Sequence, residues 1–261
     1  MPIKSAHPEY IMKSVSCALE ILDMLTGYPT GLSLKQLADH FELTRNKAFR
    51  MMSTLCEAGL VERDVEAGTY RLGVYSVALG QKFVMNSSVV NCAHPIIEQL
   101  ARKHGEAVYM SVLNDEEVLF IDMVDCGQPV KATSLLGRRF PFFTNAAGKA
   151  LKALDSRDML ERFFKRRGKP RMSADEVKHL VTELEEIRSK GVAVVRDDSG
   201  GGIISVAVAV RDYAGKAVCA ITLIGPSVRM LAGRLENEII PSMLAGAEEL
   251  SQKFGYIPAY A

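Results

Sequence analysis

Residues 32–63 read LSLKQLADHFELTRNKAFRMMSTLCEAGLVER, and this stretch decides the fold of the amino-terminal part of the chain. Ser33 and Gln36 have the spacing of a capping box, which predicts the start of a short helix. Thr44 is suited to cap a second helix, and Gly59 is suited to the left-handed position that follows a helix end. Two helices joined by so short a turn are typical of a helix-turn-helix.

The outer face of the second of these helices carries side chains that suit contacts with DNA. Ala48 and Met52 would face inward, whereas an arginine, an asparagine and Phe49 would face outward. Arginine can contact phosphate or guanine, asparagine can pair with adenine, and phenylalanine can contact a thymine methyl group. The alternative is a solvated helix face, but an outward Phe49 is unusual there. The predicted DNA contacts from the two helices are Ser33, Thr44, Arg45, Asn46, Lys47, Phe49, Arg50 and Ser53.

The sequence on either side of this motif extends it to a winged helix. A preceding helix within residues 14–25 is predicted to bury one stripe, formed by Val15, Leu19, Leu22 and Leu25. Residues 60–63 and 69–72 are short strand-like runs that predict a hairpin, the wing. The second helix of the motif would enter the major groove, with Arg63 and Arg71 of the wing near phosphates.

Composition limits the classes of protein to which the chain can belong. Its 261 residues are enough for two unequal domains, and the 32 basic and 31 acidic residues give a net charge of only +1. DNA affinity would therefore depend on local contacts and on dimerisation. The five cysteines show no C-x-x-C spacing, and no apolar run is long enough to cross a bilayer. We expect reduced thiols, a cytoplasmic location and no membrane partner.

The rest of the chain alternates between helical and strand-like patterns. Residues 74–86 predict a linker helix, and a second helix begins at Ser87 and ends at Gly105. Strands are predicted at 107–113, 118–124, 130–136, 192–196, 203–211 and 217–224. Helices are predicted at 144–154, 156–165, 174–190 and in a last segment that ends at Gly255. This order predicts an α+β fold.

Motifs for catalysis, metals and cofactors are not found. The five histidines lack metal-ligand spacing, and there is no G-x-S-x-G elbow. Gly200–Gly202 precede a predicted strand, whereas a phosphate-binding loop precedes a helix. We therefore expect no catalytic residue, no metal and no cofactor. An enzyme domain with Ser205 or Cys219 as nucleophile is the alternative, which lacks an evident base, and an adaptor that binds only proteins is the third hypothesis.

Several motifs, in order along the chain, resemble the IclR family of bacterial regulators. They are Leu32–Leu34, Phe49–Leu55, Gly59–Arg63, Tyr70–Gly73, Gly137–Pro141, Ala146–Ala150, Ile187–Gly191 and Ile224–Pro226. The resemblance implies a GAF-like domain with a six-stranded antiparallel sheet, and dimers or dimers of dimers. The family often has Lys-Ser-Thr where this chain has Arg45-Asn46-Lys47, so the operator sequence does not carry over.

The resemblance also implies a division of the chain and an effector site. Residues 1–73 would be the winged helix-turn-helix domain, 74–88 the linker helix and 89–261 the effector-binding and oligomerisation domain. The implied effector contacts are Phe140, Ala146, Ala147, Ser205, Thr222 and either Asp197 or Asp198. We add Met110 as part of an apolar wall. The expected protein is a ligand-responsive repressor that binds a double-stranded DNA operator and controls a catabolic or metabolic operon through a small organic acid or related metabolite.

Overall fold

The computed structural model describes residues 11–155, 160, 173–196 and 202–257 of the chain. The predictions for a helix at 156–165 and for Asp197 and Asp198 lie outside these residues, apart from Leu160. The chain divides into two compact units, Met1–Asn86 and Ser87–Ala261. In the described ranges, no helix is long and apolar enough to span a membrane.

The amino-terminal unit is a winged helix. Its elements are α1 (Lys13–Leu25), β1 (Leu32–Ser33), α2 (Leu34–His40), α3 (Arg45–Glu57), β2 (Val61–Asp64), β3 (Thr69–Leu72) and α4 (Val74–Asn86). The three strands form an antiparallel sheet in the order β1-β3-β2. The predicted capping box of Ser33 and Gln36 is present, and the Thr44 side chain accepts a hydrogen bond from the backbone N–H of Lys47. These local signals set the starts of α2 and α3.

The buried side of α1 differs from the predicted stripe. Ile21 and Leu25 are buried, whereas Val15 and Leu19 are 51% and 59% exposed. Ala18 and Leu22 pack in part against the same core. The helix carries apolar residues on more than one side, so hydrophobic spacing alone did not identify the side that faces the core. Part of the predicted stripe, Val15 and Leu19, therefore remains on the surface.

The carboxy-terminal unit is an α+β domain built on one sheet. Its elements are α5 (Ser88–His104), β4 (Ala107–Asn114), β5 (Glu117–Val124), β6 (Arg139–Pro141), α6 (Ala146–Lys152), α7 (Ala174–Lys190), β7 (Ala193–Arg196), β8 (Ile203–Arg211), β9 (Ala217–Pro226) and α8 (Ile240–Lys253). Two short helical turns, Ala232–Arg234 and Leu235–Ile239, precede α8. The strands described here form a six-stranded antiparallel sheet in the order β6-β5-β4-β9-β8-β7. The predicted fold class is thereby confirmed.

The prediction of a strand at residues 130–136 is wrong. The strand beside β5 is β6, in which Phe140 pairs with Val118. Backbone hydrogen bonds to the middle of β5 extend back from β6 as far as Gly137, whose backbone N–H donates to the Phe120 carbonyl. Residues 130–136 instead form an irregular segment, from which Ala132 and Leu135 pack against the core. Their spacing of three does not fit the two-residue repeat of a strand.

The two faces of this sheet are covered by different helices. Ala107, Tyr109 and Ala220 lie on the face that packs against α6 and α7. The other face packs against α5 and α8. Because side chains alternate along a strand, neighbouring residues of β4 and β9 belong to different layers of the domain.

A buried ion pair joins the start of β4 to the segment after β9. Both carboxylate oxygens of Glu106, which is 1% exposed, accept hydrogen bonds of 2.7 Å from the Arg229 guanidinium. A guanidinium nitrogen of Arg234 lies 3.6 Å from the same carboxylate, and another donates to the backbone carbonyl of His104. Burial, followed by the nearby charges of Lys103 and Arg234, lowers the pKa of the His104 imidazole. The cluster fixes three segments together at one end of the sheet.

Candidate functional site

The exposed side of α3 carries the polar residues predicted from the sequence. The set of exposed residues is Thr44, Arg45, Asn46, Lys47, Phe49, Arg50 and Ser53. On the opposite side, Ala48 and Met52 are fully buried. The side chains of Lys47 and Arg50 have no acidic partner within 4 Å among the described residues. The exposed side therefore offers free cations, an amide and an aromatic ring to a partner.

Ser33 has a structural role in addition to any contact with a partner. Its hydroxyl donates to the Gln36 side-chain oxygen over 2.7 Å and accepts from the Gln36 backbone N–H. The residue is half-buried at the start of α2. The hydroxyl is thus already used to cap the helix.

The two arginines of the wing lie on opposite sides of the hairpin. Glu62 pairs with Arg71 and Arg63 pairs with Tyr70, and successive pairs in a hairpin point to opposite faces. Arg71 lies 3.5 Å from the Glu62 carboxylate, and the Arg63 guanidinium lies 5.9 Å from the centre of the Tyr70 ring. The two arginines therefore start from opposite faces of the hairpin.

The sheet face under α6 brings several predicted effector contacts together. Thr222 on β9 lies between Tyr109 on β4 and Ala207 on β8. Ser205 pairs with Ile224, so it lies diagonally adjacent to Thr222 on the same face. Ala146 and Ala147 begin α6 and are fully buried against this face. These four residues form one cluster.

Phe140 lies at the β6 end of this face. Its ring packs edge-to-face on the Phe120 ring, with centroids 6.0 Å apart, and the Arg138 guanidinium lies 5.0 Å from the Phe140 centroid. Phe140 is half-buried, as expected for a residue at the rim of a site. It can contribute an apolar wall.

Met110 does not belong to this cluster. It pairs with Ile221, one position away from the Tyr109–Thr222 pair, and therefore points to the sheet face that α5 and α8 cover. Met110 is fully buried there. Of these two neighbouring residues, it is Tyr109 and not the predicted Met110 that lies on the same face as Thr222.

Two residues of β4, Tyr109 and Ser111, were missed by the sequence analysis. Burial raises the pKa of the Tyr109 phenol, and hydrogen bonds to Leu135 and Ser134 partly offset this effect. Ser111 pairs with Ala220, and its hydroxyl is buried without a hydrogen-bond partner, as is the Thr222 hydroxyl. Both residues lie on the face of β4 that Thr222 shares. Recognising this from the sequence would require the register of β4 on β9.

The arrangement does not support the enzyme alternative. Cys219 lies on the opposite sheet face from Ala220, and burial raises the pKa of its thiol to about 12. A neutral buried thiol is a poor nucleophile. Within the described part of the chain, no group of three or more acidic, histidine or cysteine side chains could hold a metal ion.

Comparisons with known proteins identify both units. The IclR helix-turn-helix domain model matches residues 14–65, and the model of the bacterial transcriptional regulator IclR C-terminal region matches residues 81–252. The HTH-type transcriptional regulator BhcR of Paracoccus denitrificans is 28% identical over 95% of this chain and 88% of its own length. The transcriptional repressor IclR of Escherichia coli is 24% identical over 94% of this chain and 90% of its own length.

Solved structures share the whole fold. The Thermotoga maritima IclR structure has a TM-score of 0.73 at 26% identity and covers 94% of this chain and 100% of its own. An IclR regulator from Alicyclobacillus acidocaldarius has a TM-score of 0.80 at 24% identity, over 93% and 99% of the two chains. The family models together cover most of the chain, and the relatives are regulators rather than enzymes. The chain therefore belongs to the IclR family of bacterial transcriptional regulators, with an amino-terminal helix-turn-helix that binds operator DNA and a carboxy-terminal domain that binds an effector.

Proposed function

We propose that the protein is a dimeric repressor in the cytoplasm whose α3 contacts the operator and whose effector is a small organic acid. The proposed domains are residues 1–73, 74–88 and 89–261. The division into compact units between Asn86 and Ser87 supports the second of these two boundaries. A repressor of a metabolic operon is supported by relatives named transcriptional repressor IclR and acetate operon repressor.

The exposed side of α3 is the observation that carries the DNA-binding part of this proposal. A cation without an acidic partner loses no ion pair when it meets a phosphate or a base. Arg50 and Lys47 meet this condition among the described residues, whereas Arg71 must first leave Glu62. We therefore assign more of the DNA contact to α3 than to the wing, with Arg63 and Arg71 as secondary contacts.

Arg50→Ala is expected to raise the dissociation constant for the operator by about 5- to 150-fold, which corresponds to about 1–3 kcal/mol for one base contact. The side chain is exposed, so the variant should fold normally. Arg102→Ala is the matched control, because it removes an exposed arginine that is paired with Glu98 on α5. Gel-shift titrations at two salt concentrations would measure both variants. Equal affinities for Arg50→Ala and the control would remove Arg50 from the DNA contact.

A second copy of the chain is the partner that we propose for α4. None of its residues is buried, although its exposed large side chains include Val77, Leu79, Phe83 and Met85. Its one charged residue is Lys82. A helix that is apolar on several sides is normally covered. The same unit exposes Val15 and Leu19 of α1, and a two-fold dimer can cover both surfaces in both copies at once.

Leu79→Glu is expected to raise the dissociation constant of the dimer at least about 30-fold, because a charge would be buried in an apolar contact. Leu79 is 54% exposed, so the change should not unfold the single chain. Leu231→Glu, at another exposed leucine in the carboxy-terminal unit, is the control. Sedimentation equilibrium would measure both. Native-like association of Leu79→Glu would show that α4 is not the contact.

The proposed effector site is the sheet face under α6. We retain Phe140, Ala146, Ala147, Ser205 and Thr222, replace Met110 by Tyr109, and keep Asp197 or Asp198 from the family resemblance. The support is the geometry of the cluster, because Thr222 and Ser205 lie side by side on the sheet face that the buried start of α6 covers.

A further inference from the structure

We infer that protonation of His104 lowers the stability of the carboxy-terminal unit, so that this unit is less stable at mildly acidic pH than at neutral pH. His104 is the last residue of α5 and is only 6% exposed. Its Nε2 atom is buried and has no hydrogen-bond partner among the described residues. Buried polar atoms in native proteins are nearly always hydrogen-bonded, so this exception requires an explanation. The inference does not depend on the proposed DNA or effector contacts.

Two positive side chains lie close to the His104 ring. Lys103 precedes it on α5, and the Lys103 ammonium donates a hydrogen bond of 2.7 Å to the Ser242 hydroxyl on α8. Arg234, from the short turn before α8, donates a hydrogen bond of 2.5 Å to the His104 backbone carbonyl. A positive charge on the imidazole would therefore be repelled by cations from two different elements.

The acidic side chains near the ring do not cancel this repulsion. Glu106, at the start of β4, already accepts two hydrogen bonds of 2.7 Å from the Arg229 guanidinium. Both of its carboxylate oxygens are therefore used by an arginine. Glu238, from the turn that precedes α8, is the other acid that acts on the ring, and its effect is smaller than that of either nearby cation.

Protonation would change the hydrogen bonding of the ring as well as its charge. A neutral imidazole has one donor and one acceptor nitrogen, whereas both nitrogens of the charged ring are donors. Nε2 would then be a buried N–H donor with no acceptor in the described surroundings, which adds a further cost. The carboxyl end of a helix favours a cation, but Arg102, Lys103 and Arg234 already lie at this end of α5. The fold therefore favours the neutral ring.

These effects set the sign of the pH dependence. Burial, followed by Lys103 and Arg234, lowers the pKa of the His104 imidazole, and Glu238 and Glu106 raise this pKa by less. The pKa in the folded protein therefore lies below the value of about 6.5 that a histidine has in an unfolded chain. Because the unfolded chain takes up the proton first, the stability is fully present above about pH 6.5. It is lost as the pH falls from there through the lower pKa of the folded state.

Urea titrations of the full-length protein at about pH 7.5 and about pH 5.5 test the effect on stability. We expect the unfolding equilibrium constant to rise about 3- to 10-fold more between the two pH values for the native protein than for His104→Gln, whose amide does not titrate. His179→Gln is the matched control and should behave as the native protein does. His179 is exposed on α7, where water solvates both forms of its ring. An equal pH dependence for His104→Gln and the native protein would overturn the inference.

An NMR titration of the native protein tests the His104 ring directly. The chain has five histidines, and isotope labelling of histidine makes their imidazole signals visible separately. The His104 signal is the one that is missing from His104→Gln or, if that variant does not fold, the one that remains after glutamine replaces the other four histidines. We expect this signal to titrate with a midpoint below about pH 6.5. A midpoint at or above that pH would show that the fold does not disfavour the charged ring, and the inference would fail.

Discussion

Glu106→Gln is expected to lower the free energy of unfolding of the carboxy-terminal unit by about 3 kcal/mol. The carboxylate is almost completely buried and accepts two hydrogen bonds from Arg229, with Arg234 close by. An amide can accept from only one of its two polar atoms, so one guanidinium N–H would face an amide N–H, and the arginine would lose its counter-charge. The loss is costly because the Arg229 and Arg234 side chains are only 25% and 27% exposed, so water replaces the missing carboxylate poorly.

Glu249→Gln provides the matched control for this prediction. Glu249 forms an exposed pair with Lys253 one turn away on α8, and pairs of this kind contribute about 0.5 kcal/mol or less. Urea titrations followed by circular dichroism would compare the two variants with the native protein. If Glu106→Gln were no more destabilising than Glu249→Gln, the ion pair of Glu106 and Arg229 would not stabilise the contact between β4 and the segment after β9.

Local signals in the sequence were sufficient for the helix starts and for most strands. The capping box at Ser33 and the cap at Thr44 appear where the sequence predicted them, and Ser87 caps the helix that was predicted to begin there. The left-handed Gly105 ends α5 as predicted, and the predicted helix at 174–190 is followed by Gly191, which is also left-handed. Each of these signals acts within a few residues, so it can be read without the tertiary structure.

Predictions that depend on contacts between distant segments were less successful. The choice of Met110 over Tyr109 failed because alternation gives two faces but does not say which one meets α6. The strand at 130–136 failed because β6 pairs with β5 in its place. In α1, apolar residues on several sides left the buried side undecided until Ile21 and Leu25 were seen in the core. The site residues depended on register, which local sequence does not encode.

Gly148→Ala is expected to destabilise the carboxy-terminal unit by about 3 kcal/mol, although alanine is the better helix former by about 1 kcal/mol. A Cβ atom at Gly148 would lie 2.3 Å from the carbonyl oxygen and 2.4 Å from the Cα of Phe142. Both are backbone atoms of a fully buried residue, so they cannot move aside as a flexible side chain would. Either α6 or the turn at Phe142–Thr144 must shift.

The consequence for function follows from what α6 covers. Ala146 and Ala147 precede Gly148 directly, and Asn145 caps the helix by accepting from the Gly148 backbone N–H over 2.9 Å. A shift of α6 would move this first turn away from Thr222 and Ser205, so Gly148→Ala should lose effector binding as well as stability. Gly233→Ala is the control, because nothing lies within 4 Å of a Cβ at that glycine. Thermal unfolding would measure the change in stability, and calorimetry with small organic acids such as acetate and benzoate would measure effector binding. A Gly148→Ala protein as stable as the control would show that this close contact does not hold α6 in place.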